Sequence, residues 1–299
     1  MKDLAFFALG STLFMIVSCT DVIDIQPDDA PALLVVDAWL DNQSHVQTIA
    51  LSETITYFDS ESKRAVTDAS VSVQSDQGRT FVFEHQGQGS YQWQPSDSAD
   101  VLGMTGHGFL LQIDRQEMRY EASSTMLPSP QIEEIRQELR ENELGRADGI
   151  WAEFIARDLE GAGNTYWIKT YKNERLLNKP EEINLAFDAA FDAGSQIDGL
   201  IFIPPIRELI NPIPDATSDG QETPAPWSVF DEIRVEIHSI SLPAFEFMSL
   251  ARDQILNGNN TIFATPIANT QGNVIADDVS EVLGIFNVAE ISAMSTRIN

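Results

Sequence analysis

From residue 33 onward the chain is a series of short apolar and β-branched runs separated by polar turns. Residues 33–40 are apolar enough for a buried strand. Residues 46–51 alternate, with Val46, Thr48 and Ala50 on one face and Gln47, Ile49 and Leu51 on the other, which leaves the core face ambiguous. Residues 71–73 and 81–83 flank the polar turn Asp76-Gln77-Gly78, and Tyr91-Gln92-Trp93 alternates. Residues 109–113 and 118–122 flank 114–117 in a hairpin pattern. About seven strands in about 100 residues predict an antiparallel β-sandwich of immunoglobulin-like type over residues 32–126. The Cys–Trp–Cys pattern of antibody domains is absent.

Residues 126–130, with Pro128 and Pro130, read as a stiff linker into a second β-rich domain over 127–299. In residues 131–142, Ile132, Ile135 and Leu139 recur at three and four, a helical spacing. Residues 151–156 and 166–171 read as strands joined by a glycine-bearing turn over 158–164. Six prolines (204, 205, 212, 214, 224 and 226) make residues 204–227 a long proline-rich loop. Residues 233–240 alternate cleanly, with Ile233, Val235, Ile237 and Ser239 on one face. Residues 243–256 predict a helix: Pro243 suits its first turn, Asn257-Gly258 its stop, and Phe247, Leu250, Ala251 and Gln254 share one side. Residues 282–289 close the series as a strand. The pattern therefore predicts a mostly β protein of two tandem antiparallel immunoglobulin-like sandwiches with one or two short helices.

The N-terminus is patterned differently. Lys2 precedes an apolar stretch over residues 4–17, the length of a signal-peptide core and short for a membrane span. Ile16-Val17-Ser18-Cys19 resembles the bacterial lipobox, which implies cleavage of residues 1–18 and lipidation of Cys19. Each buried methylene of an acyl chain contributes about 0.8 kcal/mol, so two or more chains suffice to hold a protein at a bilayer. Residues 19–31, with Asp24, Pro27, Asp28, Asp29 and Pro31, have little to bury and read as a tether.

Composition narrows the chemistry. Asp and Glu number 46 against 18 Lys and Arg, for a net charge of -28. Such a surface repels nucleic-acid phosphate and anionic headgroups, so nucleic acid is excluded as a partner. Cys19 is the sole cysteine, which rules out an internal disulfide. The four histidines, His45, His85, His107 and His238, form no zinc-hydrolase motif, and no cofactor is expected.

Several residues are candidate ligand contacts. Asp188, Asp192 and Asp198 carry the oxygen ligands a hard cation prefers, but without the EF-hand order, and a solvated or structural role is the expectation. Asp158, Asn164 and the glycines between them are expected to shape a turn. Asn269 and Asn273 are expected to bond the backbone and fix a loop. Trp39, Trp93, Trp151 and Trp167 lie in strand-like runs and read as core or sheet rim, whereas Trp227 follows the proline-rich loop and is the best candidate for an exposed, ligand-facing aromatic. Glu133 and Glu134 are adjacent carboxylates of a kind that chance supplies in so acidic a chain. No Gly-x-Ser-x-Gly elbow frames a serine, so no catalytic residue is assigned. Asp97-Ser98-Ala99 resembles a short O-glycosylation motif of Bacteroidota.

An ordered series of segments resembles the Bacteroidota lipoprotein family called domain of unknown function 4249. The likeness rests on residues 19–24, 34–40, 69–73 and 120–123, on Asp158, Gly161, Asn164, Tyr166 and Trp167, and on residues 263–273 and 283–286. The chain departs from the family pattern at residues 187–194 and in the length of the proline-rich loop. The resemblance favours a strand over residues 131–142, against the helical spacing. It implies an outer-membrane lipoprotein, often encoded beside a TonB-dependent transporter, without known catalysis. The expectation is a non-enzymatic accessory or solute-binding partner of such a transporter, lipid-anchored and facing the cell surface. The alternatives are a structural or adhesive surface protein and, less favoured, a glycan hydrolase.

Overall fold

Burial along the first two strands has a period of two, which settles the face that residues 46–51 left ambiguous. β1 (Leu34–Asp41) buries Leu34, Val36, Ala38 and Leu40. β2 (Gln47–Glu53) turns Gln47, Ile49 and Leu51 inward. Gln47 is tolerated there because its amide accepts from Asp41 N at 3.1 Å and donates to Asp41 Oδ1 at 3.0 Å. The computed structural model describes residues 32–55, 64–144, 146–191, 198–215, 224–257, 270–277 and 281–299. Cys19, the expected signal peptide and tether, Asp192 and Asn269 lie outside these residues. No helix among the described residues is long and apolar enough to cross a membrane.

The chain continues through β3 (Arg64–Ala65), β4 (Ala69–Ser75), β5 (Thr80–Gly87), β6 (Ser90–Trp93), β7 (Gly108–Arg115), β8 (Met118–Thr125), β9 (Ile132–Arg140) and β10 (Gly149–Ala156). There follow β11 (Thr165–Lys172), β12 (Arg175–Leu176), β13 (Asn184–Phe187), the short helix α1 (Pro204–Glu208), β14 (Glu232–Ile240), the helix α2 (Leu242–Asn257), β15 (Ile275–Ala276), β16 (Val282–Ala289) and β17 (Ile291–Arg297). The protein is mostly β, with antiparallel sheets, as the sequence predicts.

The first sheet runs β15-β8-β7-β4-β5-β6-β2-β1-β16, with β3 beside β2. β5 pairs with both β4 and β6, so the strands form one continuous sheet in place of the two facing sheets expected over residues 32–126. Its ends approach each other. Val288 N donates to Ser124 Oγ at 3.0 Å, joining β16 to β8. The Asn273 amide donates to Phe286 O at 2.8 Å, accepts from Phe286 N at 2.9 Å and donates to Ser123 O at 3.4 Å. A side chain thus stands in for a missing strand ladder, and the sheet is nearly a closed barrel. Its interior is one apolar cluster that includes Leu40, Leu51, Phe81, Leu111 and Ile113, and also Val274, Phe286 and Val288 from the far end of the chain.

β16 runs parallel to β1 and fills the position no strand of residues 32–126 occupies. Gly284 makes this approach possible. Its φ is +111°, and a Cβ there would sit 1.8 Å from Val36 O.

The second core gathers Phe154, Tyr166, Ile168, Phe202, Ile206, Trp227, Ile233, Val235 and Ile237. Over it lies the sheet β12-β11-β14-β17, with β13 beside β11, and the β9–β10 hairpin packs against the same cluster. β9 settles the competing readings of residues 131–142. Ala156 pairs with Ile132 and Ile155 with Glu134, which leaves Glu133 unpaired as a β-bulge. The extra residue shifts the facing by one, so Ile132 and Ile135 both reach the core although they are three apart. The spacing that looks helical is that of a bulged strand, and Leu139 beyond it is 66% exposed.

A third cluster joins the two halves: Leu185, Ile240, Ala244 and Ile285, with Trp39, Trp167, Phe245 and Met248 packed against it. α2 docks here through its N-terminal half, with Phe247 of the predicted side packed against the cluster and Leu250 of the same side exposed. Residues 32–299 form one compact unit.

Gly284→Ala is expected to lose about 2–4 kcal/mol, from left-handed strain plus the clash with β1. Gly78→Ala, in a turn with φ +82° and nothing within 4 Å of the added carbon, is expected to lose about 1 kcal/mol. Urea unfolding of the two variants checks this ordering, and equal losses would contradict it.

Candidate functional site

Trp227 is not a ligand-facing aromatic. It is 1% exposed and packs in the second core. Its Nε1 donates to Asn211 Oδ1 at 2.9 Å, an oxygen that also accepts from Ala152 N at 2.8 Å, while the Asn211 amide donates to Ala152 O. A loop that returns to the core needs a large apolar anchor with a satisfied polar edge, and Trp227 supplies it.

Asp188 is 3% exposed and closes the turn over residues 158–164. One oxygen accepts from Gly163 N at 2.7 Å and Asn164 N at 2.9 Å, and the Asn164 amide donates to Leu159 O and Gly161 O. The two aspartate groups singled out in the sequence meet here. One oxygen each of Asp158, Asp188 and Asp198 lies within 4.8 Å of the others. Asp158 accepts from the Tyr166 hydroxyl at 2.6 Å and from Gly199 N at 3.1 Å, and Asp198 accepts from Gly161 N at 3.0 Å. Burial pushes the Asp158 carboxyl upward, and Asp188 and Asp198 add repulsion against the hydrogen bonds that pull it down. Oxygens of this type suit a hard cation. Asp188 and Asp198 bind the backbone of the turn, and Asp158 ties it to the Tyr166 hydroxyl and to Gly199 N, so the cluster acts as its clasp. Asn273 fixes backbone, as expected. Glu133 is the bulge residue and Glu134 pairs with Arg136 at 2.8 Å, so they converge on no site.

A cleft of about 960 Å³ lies elsewhere, between the second sheet and the rim of the barrel. β11 and β14 pair antiparallel with Trp167 opposite His238, Lys169 opposite Glu236 and Tyr171 opposite Arg234. Their alternate residues (Ile168, Ile233, Val235 and Ile237) fill the core, so the period of two puts all six on the other face. That face is covered by Trp39 and Asp41 of β1 and by the β1–β2 turn, which brings Asn42, Gln43, Ser44, His45 and Gln47 to the cleft. Trp39 meets Trp167 edge-on at 5.2 Å. Ser98 stands exposed at the cleft edge.

Glu236 is saturated. Arg234 donates to Oε1 at 2.5 Å, while His238 Nε2 at 2.9 Å and the Tyr171 hydroxyl at 3.1 Å share Oε2. Burial opposes ionisation of Glu236, but its hydrogen bonds and the Arg234 charge hold it below the usual carboxylate range. Burial pushes the Tyr171 hydroxyl up to about 12. Burial holds His238 below the ordinary histidine value, so it is neutral at pH 7 and gives its Nε2 proton to Glu236. His45 is the opposite case. Nε2 faces Asp41 Oδ2 at 3.0 Å and Nδ1 faces Val46 O at 2.9 Å. Both partners accept, so both nitrogens carry protons, and the Asp41 hydrogen bond pushes His45 up to about 9. Asp41 is held low despite its burial by hydrogen bonds from His45, Gln43 and Gln47.

Lys169 stands between these networks. Burial lowers its pKa, while Glu236, Asp41 and Asp37 counteract. Its ammonium sits 4.0 Å from the centre of the Trp167 ring. The alternation over residues 233–240 marked the apolar face. The signal for the cleft was its complement, Arg234, Glu236 and His238 on the other face of one strand. Asp41 and Glu236 line the same cleft, each held by hydrogen bonds below the usual carboxylate range.

The His45–Asp41 contact makes stability depend on pH. His45's part is complete below about 6.5 and lost as pH rises through about 9. Asp41's part is complete above the ordinary carboxylate value and lost as pH falls through its lowered one. The His45 side chain is 54% exposed, so solvent screening reduces the effect. An NMR titration is expected to place His45 near 9, and Asp41→Asn to return it toward 6.5. A wild-type His45 titrating at 6.5 would contradict the assigned contact.

No curated protein matches the chain. The family described as "Domain of unknown function (DUF4249)" matches residues 20–294, nearly the whole chain and all of the strands that build the cleft except the last three residues of β17. On that match the chain belongs to the DUF4249 family.

Proposed function

We propose that this protein is a non-enzymatic, lipid-anchored solute-binding partner of a TonB-dependent transporter, held at the outer membrane through Cys19. The observation that carries the solute-binding part is the cleft of about 960 Å³, whose lining mixes aromatic faces, amides and charged groups. Ligand sites are concave and place a few polar groups against apolar walls, and this one sits where two sheets meet. The anchoring part is supported by the lipobox-like Ile16-Val17-Ser18-Cys19 and by a net charge of -28, which gives the body no electrostatic hold on an anionic bilayer. The adhesive alternative assigns no role to the cleft.

Two measurements test the proposal together. The full chain is expected to incorporate labelled palmitate, and Cys19→Ala to abolish the label and release the protein from the envelope. Purification from detergent-solubilised outer membrane is expected to bring down a β-barrel transporter. Unlabelled wild-type protein, or repeated recovery without any barrel, would refute the respective half.

A further inference from the structure

The charges lining the cleft do not cancel. The lining carries three basic groups, Lys169, Arg234 and the twofold hydrogen-bonded His45, against two carboxylates, Asp41 and Glu236, in a chain of net charge -28. The anions are already engaged. Asp41 is bound by His45 and Gln47, and Glu236 by Arg234, His238 and Tyr171. Lys169 is the remaining cation. Glu236 stands directly opposite on the neighbouring strand, yet the ammonium rests on the Trp167 ring, and among the described residues no carboxylate lies within ion-pairing distance. Asp37, farther along β1, attracts it but does not line the cleft and has an interaction of its own. A half-buried ammonium with no carboxylate in contact is costly, and a bound anion would reduce that cost.

The rest of the lining restricts what carries the anion. Asn42, Gln43, Ser44 and Thr48 line it with amides and hydroxyls, of which Asn42 Oδ1 already accepts from Gln43 Nε2 and Ile291 N and the Ser44 hydroxyl donates to Asp97 O; Trp39 adds an apolar ring, and Tyr171 a ring with Arg234 over one face at 4.0 Å. A single unmatched charge, flanked by two fixed carboxylates, suits a monoanion better than a phosphate dianion. We infer that the cleft receives a hydroxyl-rich solute bearing a carboxylate, an acidic sugar in chemical class, with Lys169 as the cation that meets the carboxylate. This rests on the solute-binding reading above.

The test is tryptophan fluorescence titration of the full chain with a galacturonate trimer and with a galactose trimer. The acidic trimer is expected to bind at least about tenfold more tightly, the worth of one charge-assisted hydrogen bond. Lys169→Met is expected to erase that preference, Lys169→Arg to keep most of it, and Lys172→Met, outside the cleft, to leave it unchanged. Added salt is expected to weaken the acidic trimer alone, a readout on wild-type protein that does not depend on how the variants fold. Equal affinities, a preference untouched by Lys169→Met in a folded variant, or tighter binding of galactose 6-phosphate than of galacturonate would overturn the inference. Binding of the neutral trimer alone would overturn it and leave the solute-binding reading standing. Binding of neither trimer would also overturn it, with transporter capture still testing the broader reading.

Discussion

A sheet that carries ionised groups on a face it also covers must satisfy them where they stand. Here the second sheet turns Ile168, Ile233, Val235 and Ile237 into an apolar core and Lys169, Arg234, Glu236 and His238 toward the rim of the barrel. Glu236 is 8% and His238 6% exposed. A carboxylate buried to that degree survives only with hydrogen bonds to both oxygens, and Arg234, His238 and Tyr171 provide them. The same requirement explains the neutral imidazole of His238 beside the doubly protonated one of His45. Each ring takes the charge its partners and burial allow.

That covered face exists because the chain returns to the barrel before it ends. β16 lies beside β1, and β17, after Glu290 alone, lies beside β14 in the second sheet. The Glu290 side chain accepts from Ser129 N at 2.9 Å and its carbonyl from Ser239 N at 3.1 Å, so the crossing point is tied to the linker and to β14. One continuous stretch thus fixes the distance between the two sheets. Gly284 permits its approach to β1, and Asn273 closes the gap to β8 that it leaves.

Much of this was legible in the sequence, because a period of two reports burial directly. The apolar run over residues 33–40, the hairpin pattern over 109–113 and 118–122, the alternation over 233–240 and the closing run over 282–289 all correspond to strands. Long-range pairing was not legible. Nothing local in Val282–Ala289 shows that it completes a sheet begun at Leu34, and without it residues 32–126 looked like a sandwich complete in itself. The bulge at Glu133 disguised a strand as a helix by changing the spacing of Ile132 and Ile135. Trp227 was misplaced because a proline-rich segment reads as exposed, and its indole bond to Asn211 is a tertiary fact. The turn over residues 158–164 was legible, but the convergence of Asp158 with Asp188 and Asp198 required the fold.

The central claim is that the polar face of the second sheet is held against β1, and the Trp39–Trp167 contact at 5.2 Å spans that junction. A double-mutant cycle of Trp39→Ala and Trp167→Ala, read by chemical unfolding, tests it most directly. The account predicts a coupling energy of about 0.5–1.5 kcal/mol for an edge-on aromatic pair. Losses that add to within about 0.3 kcal/mol would mean that the two rings do not meet, and the cleft between the sheets would go with them.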